Sequence, residues 1–326
     1  MSDQLDRAAE ALQRAPDVAL ACHINPDPDA LGSMLGLAEF LKTRGTKVVC
    51  SYGNVPFEQA RWVDALPGAD ALVPPNEFPR SPQVMVTLDC ASIDRLGALL
   101  GVAKKAKELI WIDHHVSNEG VGTIPVIDPS ASSTAEIVYR LMKRMGGEVP
   151  EGAAASLYAG IVTDTGRFQY QSTSPETLRL AAELRTHAFD HARLAQAMFE
   201  DNSVAYLRIL AIALGRLELV SDADLVWTYL TQEDIGKEGI PMGETDDLID
   251  VIRTAREADV AAVLKQQRDG RFKVSMRSRG EHDVASIATS HGGGGHRLAA
   301  GYTAKASVEE SIRELVEALK ASSQVA

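Results

Sequence analysis

Short apolar runs that stop at an aspartate or a histidine shape the first third of this chain. Val18 to Cys22 stops at His23, Val84 to Leu88 stops at Asp89, and Leu109 to Ile112 stops at Asp113. Each run is too short for a core helix and is apolar throughout, which suits a strand buried on both faces. Ala30 to Thr43 reads as a helix that ends near Gly45, and Val48 to Cys50 opens a further strand. Strands alternating with helices give a parallel sheet covered on both sides. In such a sheet ligands bind beyond the carboxyl ends of the strands, so one crevice can gather the three polar stops.

The remaining chain extends the α/β pattern. Leu5, Ala8, Ala9 and Leu12 share one helical face at the start. Helices are expected over Thr134 to Met145 and Ala153 to about Thr163, and Leu178 to Leu217 is rich in helix-forming residues. Beyond it Leu225 to Leu230, Val260 to Lys265 and Phe272 to Met276 read as strands, and Val308 to Leu319 as a final helix. The division expected is a first domain over 1–190, a helical linker over 191–215 and a smaller second α/β domain over 216–326.

Charge narrows the function classes. Lys and Arg total 33 against 45 Asp and Glu, a net charge of -12. A protein that tracks long nucleic acid usually offers extended positive surface, so this balance weighs against long DNA or RNA. A site for divalent cations would supply its positive charge through the metals. Cys22, Cys50 and Cys90 show no paired spacing and read as small apolar residues in a reducing compartment. No leader pattern opens the chain, and nothing approaches the roughly 20 apolar residues of a membrane helix. A cytoplasmic location and no membrane partner are expected.

The polar stops carry chemistry. His23, Asp27 and Asp29 follow the first strand, with Pro26 and Pro28 stiffening the turn and Gly32-Ser33 letting backbone approach as the next helix starts. Asp89 follows the second run, Asp113-His114-His115 the third, and Asp164 lies in Gly160-Ile161-Val162-Thr163-Asp164-Thr165-Gly166. Carboxylates and imidazoles without thiolates favour Mn²⁺, Mg²⁺, Fe²⁺ or Co²⁺ over a structural zinc. The set exceeds one metal's needs. Two ions about 4 Å apart would lower the pKa of a water between them, orient it in line and neutralise phosphate oxygens. A single aspartate at a helix start is usually a cap; so many at four strand or helix ends are not.

Asp113-His114-His115 resembles the motif that names the DHH phosphoesterase superfamily. His23…Asp27…Asp29, Asp89 and Asp164 match its other motifs in order, and Gly292-Gly293-Gly294-Gly295-His296 resembles the glycine-rich signature of the associated DHHA1 domain. The resemblance covers nearly the whole chain. It implies a Rossmann-like parallel-sheet DHH domain followed by an α/β DHHA1 domain, and two Mn²⁺ ions, with Mg²⁺ or Co²⁺ as substitutes. By the same resemblance His23 and Asp27 hold the first metal, Asp29, His114 and Asp164 the second, and Asp89 bridges them. Asp113 would orient His114, and His115 would face the scissile phosphate. The compact size is similar to the nanoRNase and pAp-phosphatase group, whose relatives cleave linear or cyclic dinucleotides. A homodimer is likewise implied by resemblance alone.

In the second domain Phe272, Val274 and Met276 alternate with Arg271, Lys273, Ser275, Arg277 and Arg279, which would form a basic stripe on the other face. The null is a solvated strand face. The resemblance favours substrate contact at Arg277 and its neighbour Ser278. Gly293, Gly294 and Gly295, flanked by His291 and His296, suggest an anion cradle of backbone N–H groups. The expectation is a cleft with metals on one wall and an anion clamp on the other. It would take short RNA or a small nucleotide such as pAp (3′-phosphoadenosine 5′-phosphate) and exclude long duplexes. Thr134 and the serines before it read as a helix cap, and His187 and His191 as surface residues. The competing readings are an inorganic pyrophosphatase or exopolyphosphatase of the same superfamily and a non-catalytic nucleotide sensor.

Overall fold

A computed structural model describes residues 2–118, 120–305 and 307–323. The first residue and the last three, at the outer limits of the expected domains, lie outside the described residues. The chain forms two compact units, Met1–Asp201 and Asn202–Ala326. The segment expected to link the domains, 191–215, spans this division.

The first unit runs α1 (Ser2–Arg14), β1 (Asp17–Cys22), α2 (Pro28–Thr43), β2 (Lys47–Tyr52), β3 (Val84–Leu88), α3 (Leu100–Ala103), β4 (Glu108–Asp113) and β5 (Ile124–Ile127). Then follow α4 (Thr134–Met145), α5 (Glu151–Asp164), α6 (Pro175–Leu184) and α7 (His191–Phe199). Its sheet is parallel, in the order β2-β1-β3-β4-β5. β1 and β3 are buried almost throughout, as apolar runs without alternation require. Cys22 lies opposite Leu88, and Leu88 opposite Ile112. The next residues, His23, Asp89 and Asp113, therefore leave three adjacent strands at the same level. β5 has no counterpart in the sequence reading because Pro125 interrupts it. The strand is at the sheet's edge, where a missing N–H costs nothing.

Helix α2 lies directly against α5, and glycine is the reason. A Cβ on Gly32 would overlap the carbonyl oxygen of Ser156, whereas one on Gly36 would meet the Leu157 side chain at 3.0 Å and the Ala153 carbonyl oxygen at 3.4 Å. Main chain thus touches main chain at the top of two helices that carry Asp27, Asp29 and Asp164.

The second unit holds α8 (Val204–Gly215), β6 (Glu218–Val220), β7 (Leu225–Leu230), α9 (Gln232–Glu238), α10 (Leu248–Ile252), β8 (Val260–Gln266) and β9 (Phe272–Ser278). It closes with α11 (Val284–Ser290), β10 (Gly294–His296), β11 (Ala299–Ala304) and α12 (Val308–Ser323). Its sheet order is β10-β11-β9-β8-β7-β6, with β7 and β8 parallel and the other pairs antiparallel. Phe272, Val274 and Met276 of β9 face one core with α11 and α12, as their alternation predicts. Val226, Ala261 and Val263 face a second core with α8 and α10. On the face of the expected basic stripe Arg271, Lys273 and Arg279 are exposed and Ser275 and Arg277 half-buried. Lys265 is 3% exposed and pairs with Asp246, and Lys273 lies 3.9 Å from the same carboxylate. Among the described residues no helix is long and apolar enough to cross a membrane.

Candidate metal centre

The turn after β1 builds the first wall. Asp27 caps α2 by accepting the Ala30 amide at 3.0 Å. Two residues on, Asp29 is 1% exposed and turned inward. Its Oδ2 accepts the Thr134 amide at 2.7 Å, and its Oδ1 the Ala135 amide at 3.0 Å and the Ser33 hydroxyl at 3.3 Å. Asp89 leaves β3 with φ at 57°, a left-handed conformation that aspartate tolerates better than most residues. Its amide donates to the Ile112 carbonyl at 3.0 Å, which ties the loop to the neighbouring strand.

Four carboxylates and three imidazoles converge. His23, Asp27 and Asp89 form one group, and Asp29, His114 and Asp164 another; within each group one ligand atom from every residue lies within 4.8 Å of the rest. Asp89 connects them: its Oδ2 is 3.4 Å from His23 Nε2, and its Oδ1 is 3.7 Å from His114 Nε2. His114 Nε2 is also 3.3 Å from Asp164 Oδ2. The donor set, oxygen and imidazole nitrogen, fits hard to borderline divalent cations. Asp89, His114 and His115 form a third such group, so the sequence-derived residues are brought together with Asp89 and His114 each in two groups.

Electrostatics makes the same point. Burial pushes Asp29 well above the usual carboxylate range, and the nearby Asp89 and Asp164 add to it. Burial likewise lifts Asp164, up to about 7, against the opposing pull of His114, with Asp89 and Asp27 adding to the rise. Burial works against a charged His23, yet its contacts with Asp27 and Asp89 raise it to about 10. His115 is raised to about 9 despite burial, mainly by Asp113. Carboxylates packed this closely favour positive charge beside them, which is why His23 and His115 are raised, and divalent cations could fill the same role.

Tautomers follow from the second atoms of each ring. His23 Nδ1 lies 2.8 Å from the Ile24 carbonyl, which can only accept, so a proton there leaves Nε2 bare toward Asp27 and Asp89. Arg95 Nη2, a donor only, lies 3.0 Å from the same Nδ1 and selects the other tautomer. The expectation for Asp113 needs correction. Its Oδ1 accepts from His115 Nδ1 at 2.7 Å, whereas His114 Nδ1 faces the Ala131 carbonyl at 3.4 Å. β4 ends at Asp113, and the two rings that follow stand edge to face, 4.8 Å apart, each 3.7 Å from Asp89 Oδ1.

Sequence reasoning missed several participants. Asn118 donates to Asp113 Oδ2 at 2.6 Å and to the Cys90 carbonyl at 2.9 Å, fixing the carboxylate that fixes His115. We expect Asn118→Ala to lower kcat/KM about tenfold while leaving metal content intact, because it frees a buried carboxylate behind His115. Metal analysis alongside kinetics checks this, and lost metal would contradict it. The expected cap falls on one of the serines before Thr134. Ser133 caps α4 by accepting the Glu136 amide at 3.2 Å, and the Thr134 hydroxyl donates to Asp89 Oδ1 at 2.9 Å. Capping explains Ser133 and leaves Thr134 unexplained, and that was the available signal.

The second unit sorts its candidates. Ser278 is 2% exposed; its hydroxyl donates to Asp259 at 2.8 Å and accepts the Gly280 amide at 3.0 Å. It shapes the 278–283 loop and does not offer its hydroxyl to a ligand, a correction to the expected contact. Arg277 is half-buried on β9, with Nη1 donating to the Met276 carbonyl at 3.1 Å. His291 caps α11, its ring stacked on Tyr302 at 4.5 Å. The glycines divide. The Gly293 amide donates to the Ala288 carbonyl at 2.8 Å, so it is committed and cannot serve an anion cradle. A Cβ on Gly293 would strike β11, and one on Gly295 would lie 2.5 Å from Ala299 O. Gly294 alone of the three expected contacts has open space beside it. His296 follows on β10, exposed.

Comparison with known proteins agrees with this architecture. A model of the N-terminal domain of the DHH family matches residues 17–161, and a model of the DHHA1 domain matches residues 222–323. The chain is 34% identical over 304 residues to the bifunctional oligoribonuclease and PAP phosphatase NrnA of Thermus thermophilus, covering 93% of this chain and 89% of that one. It is 29% identical over 288 residues to the protein of the same name from Bacillus subtilis, covering 87% and 88%. The crystal structure of an exopolyphosphatase-related protein from Bacteroides fragilis matches with a TM-score of 0.91 at 26% identity, covering 98% of this chain and 96% of that one. The chain belongs to the DHH family of phosphoesterases, with a DHHA1 domain following its DHH domain.

Proposed function

We propose that this protein is a manganese-dependent phosphoesterase that cleaves short oligoribonucleotides to mononucleotides and removes the 3′-phosphate of pAp. The observation that carries the reading is the pair of ligand groups joined through Asp89, three histidines and four aspartates in a phosphoesterase fold. Two divalent cations held there would supply Lewis acidity and a water of lowered pKa for attack on phosphorus. The chain's own residues do the rest. Asp29 and Asp164 with His114 define one ion's position, and His23 with Asp27 the other's. His115, pinned by Asp113, stands next to Asp89 to meet charge developing on the phosphate oxygens. Arg277, Gly294 and His296 are assigned to nucleotide binding, where an arginine can fork onto a phosphate. The free, buried thiols of Cys22, Cys50 and Cys90 accord with a cytoplasmic setting.

The test is a panel of pAp, pApA, cyclic di-AMP, short and long RNAs, polyphosphate and pyrophosphate, each assayed with Mn²⁺, Mg²⁺ and Co²⁺. Fast turnover of the shortest RNAs or of pAp, best with Mn²⁺ and abolished by chelator, is expected. Turnover of pyrophosphate or polyphosphate alone would show that the substrate is inorganic; the resemblance to an exopolyphosphatase-related structure is why that arm is included. Arg277→Ala should raise KM for short RNA about tenfold by removing a charge-assisted contact, with far less effect on a generic phosphodiester. Equal loss on both substrates would remove Arg277 from recognition.

A further inference from the structure

The first turn of α4 touches both halves of the candidate metal centre without contributing a ligand. Thr134 is fully buried. Its amide holds Asp29 Oδ2 at 2.7 Å, and its hydroxyl holds Asp89 Oδ1 at 2.9 Å. Of Asp89's two oxygens, Oδ1 faces His114 and Oδ2 faces His23. One residue therefore grips two carboxylates, in each case on the side of the Asp29, His114 and Asp164 group.

That turn is itself braced. Glu136 is 1% exposed, and its Oε2 accepts the Ser132 amide at 3.1 Å, the Ser132 hydroxyl at 2.6 Å and the Thr177 hydroxyl at 3.1 Å. Arg140 pairs with Glu136 and, at 2.7 Å, with Asp128. A buried charge satisfied on every side holds a single geometry. The helix amides at the start of α4 are spent on the protein's own Asp29, so this helix start serves to aim a carboxylate.

We propose that Thr134 is a positioning residue whose hydroxyl sets Asp89 to serve the second metal. The inference rests on the two-metal reading above. A carboxylate would serve two cations by offering one oxygen to each. A donor on Oδ1 fixes the rotation that does so and leaves Oδ2 to His23. Without the hydroxyl, Asp89 is free to turn toward the His23 side, and the second ion loses its shared ligand while the first keeps its own.

The experiment is a Mn²⁺ titration of metal-stripped protein, followed by calorimetry and by the electron paramagnetic resonance of free and bound Mn²⁺. Wild type, Thr134→Val, Thr134→Ala and Thr134→Ser are compared, with thermal melts in chelator to establish that each is folded. Valine keeps the shape and the amide, alanine removes bulk, and serine keeps the hydroxyl. Thr134→Val and Thr134→Ala should both weaken the second equivalent about 10- to 100-fold, as loss of a partner behind a ligand usually does. The first equivalent should be unchanged, and Thr134→Ser should match wild type. Wild-type binding of both equivalents by Thr134→Val would overturn the inference and leave the two-metal reading standing. So would a Thr134→Ser variant as impaired as the alanine, since packing of the methyl would then be the cause. Failure of wild type to take up a pair of ions would remove the two-metal reading and this inference with it.

Discussion

Asp89→Asn is expected to yield a folded protein that no longer binds a pair of metals and whose kcat falls by about a thousandfold or more, the scale on which two-ion catalysis operates. Asp89 is the single side chain whose two oxygens face different ligand groups, Oδ2 toward His23 and Oδ1 toward His114. Every other carboxylate in the centre belongs to one group. Losing Asp27 or Asp164 would thus weaken one ion, whereas losing Asp89 disconnects both. Asparagine is the right replacement because the backbone here has φ at 57°, which alanine adopts only at a cost of roughly 1–2 kcal/mol. Asparagine also keeps an oxygen for the Thr134 hydroxyl, so the fold should survive. The check is circular dichroism, metal analysis and turnover of short RNA on one preparation. Substantial activity in a folded variant with its metal content measured would remove Asp89 from the bridging role.

Gly32→Ala should clearly destabilise the first unit. The added methyl would run into the Ser156 carbonyl, and neither backbone can move without shifting a whole helix. Overpacking of this kind costs about 1–3 kcal/mol, or roughly 2–12 °C in melting temperature for a unit of this size. Activity should fall further than stability explains, because Asp27 and Asp29 ride on the same helix start. Gly36→Ala is the control. Its methyl presses on the Leu157 side chain, which can rotate, and meets the Ala153 carbonyl oxygen at an ordinary 3.4 Å, while alanine improves helix propensity. Paired thermal melts of the two variants decide the matter, and equal melting temperatures would show that the helices are not in main-chain contact.

How much of this was legible beforehand depends on the kind of contact. Local patterns were readable: β1, β3 and β4 appear where apolar runs stop at His23, Asp89 and Asp113. The α/β class and the DHH family followed from those stops and their order. What the chain's order does not display is which side chain faces which across space. Asp113 was assigned to His114 through the family resemblance, whereas its carboxylate meets the ring of His115. Thr134 was grouped with the serines before it as a cap, which Ser133 is, and its own bond to Asp89 spans 45 residues. Ser278 looked like a ligand contact beside Arg277, yet its partner is Asp259, 19 residues earlier. Edge strand β5 was hidden by Pro125, and β10 by glycines that read equally well as a loop.

The main-chain contact between α2 and α5 bears on how such a protein can diverge. Core side chains can be exchanged for others of similar volume at modest cost, and lineages drift through such exchanges. Drift of that kind usually moves helices apart or together, because side chains set their separation. Here glycine removes the spacer, so the gap between the helix start bearing Asp29 and the helix end bearing Asp164 has a mechanical stop. Wide substitution elsewhere in the first unit can then accumulate while the reach between those two carboxylates stays the same.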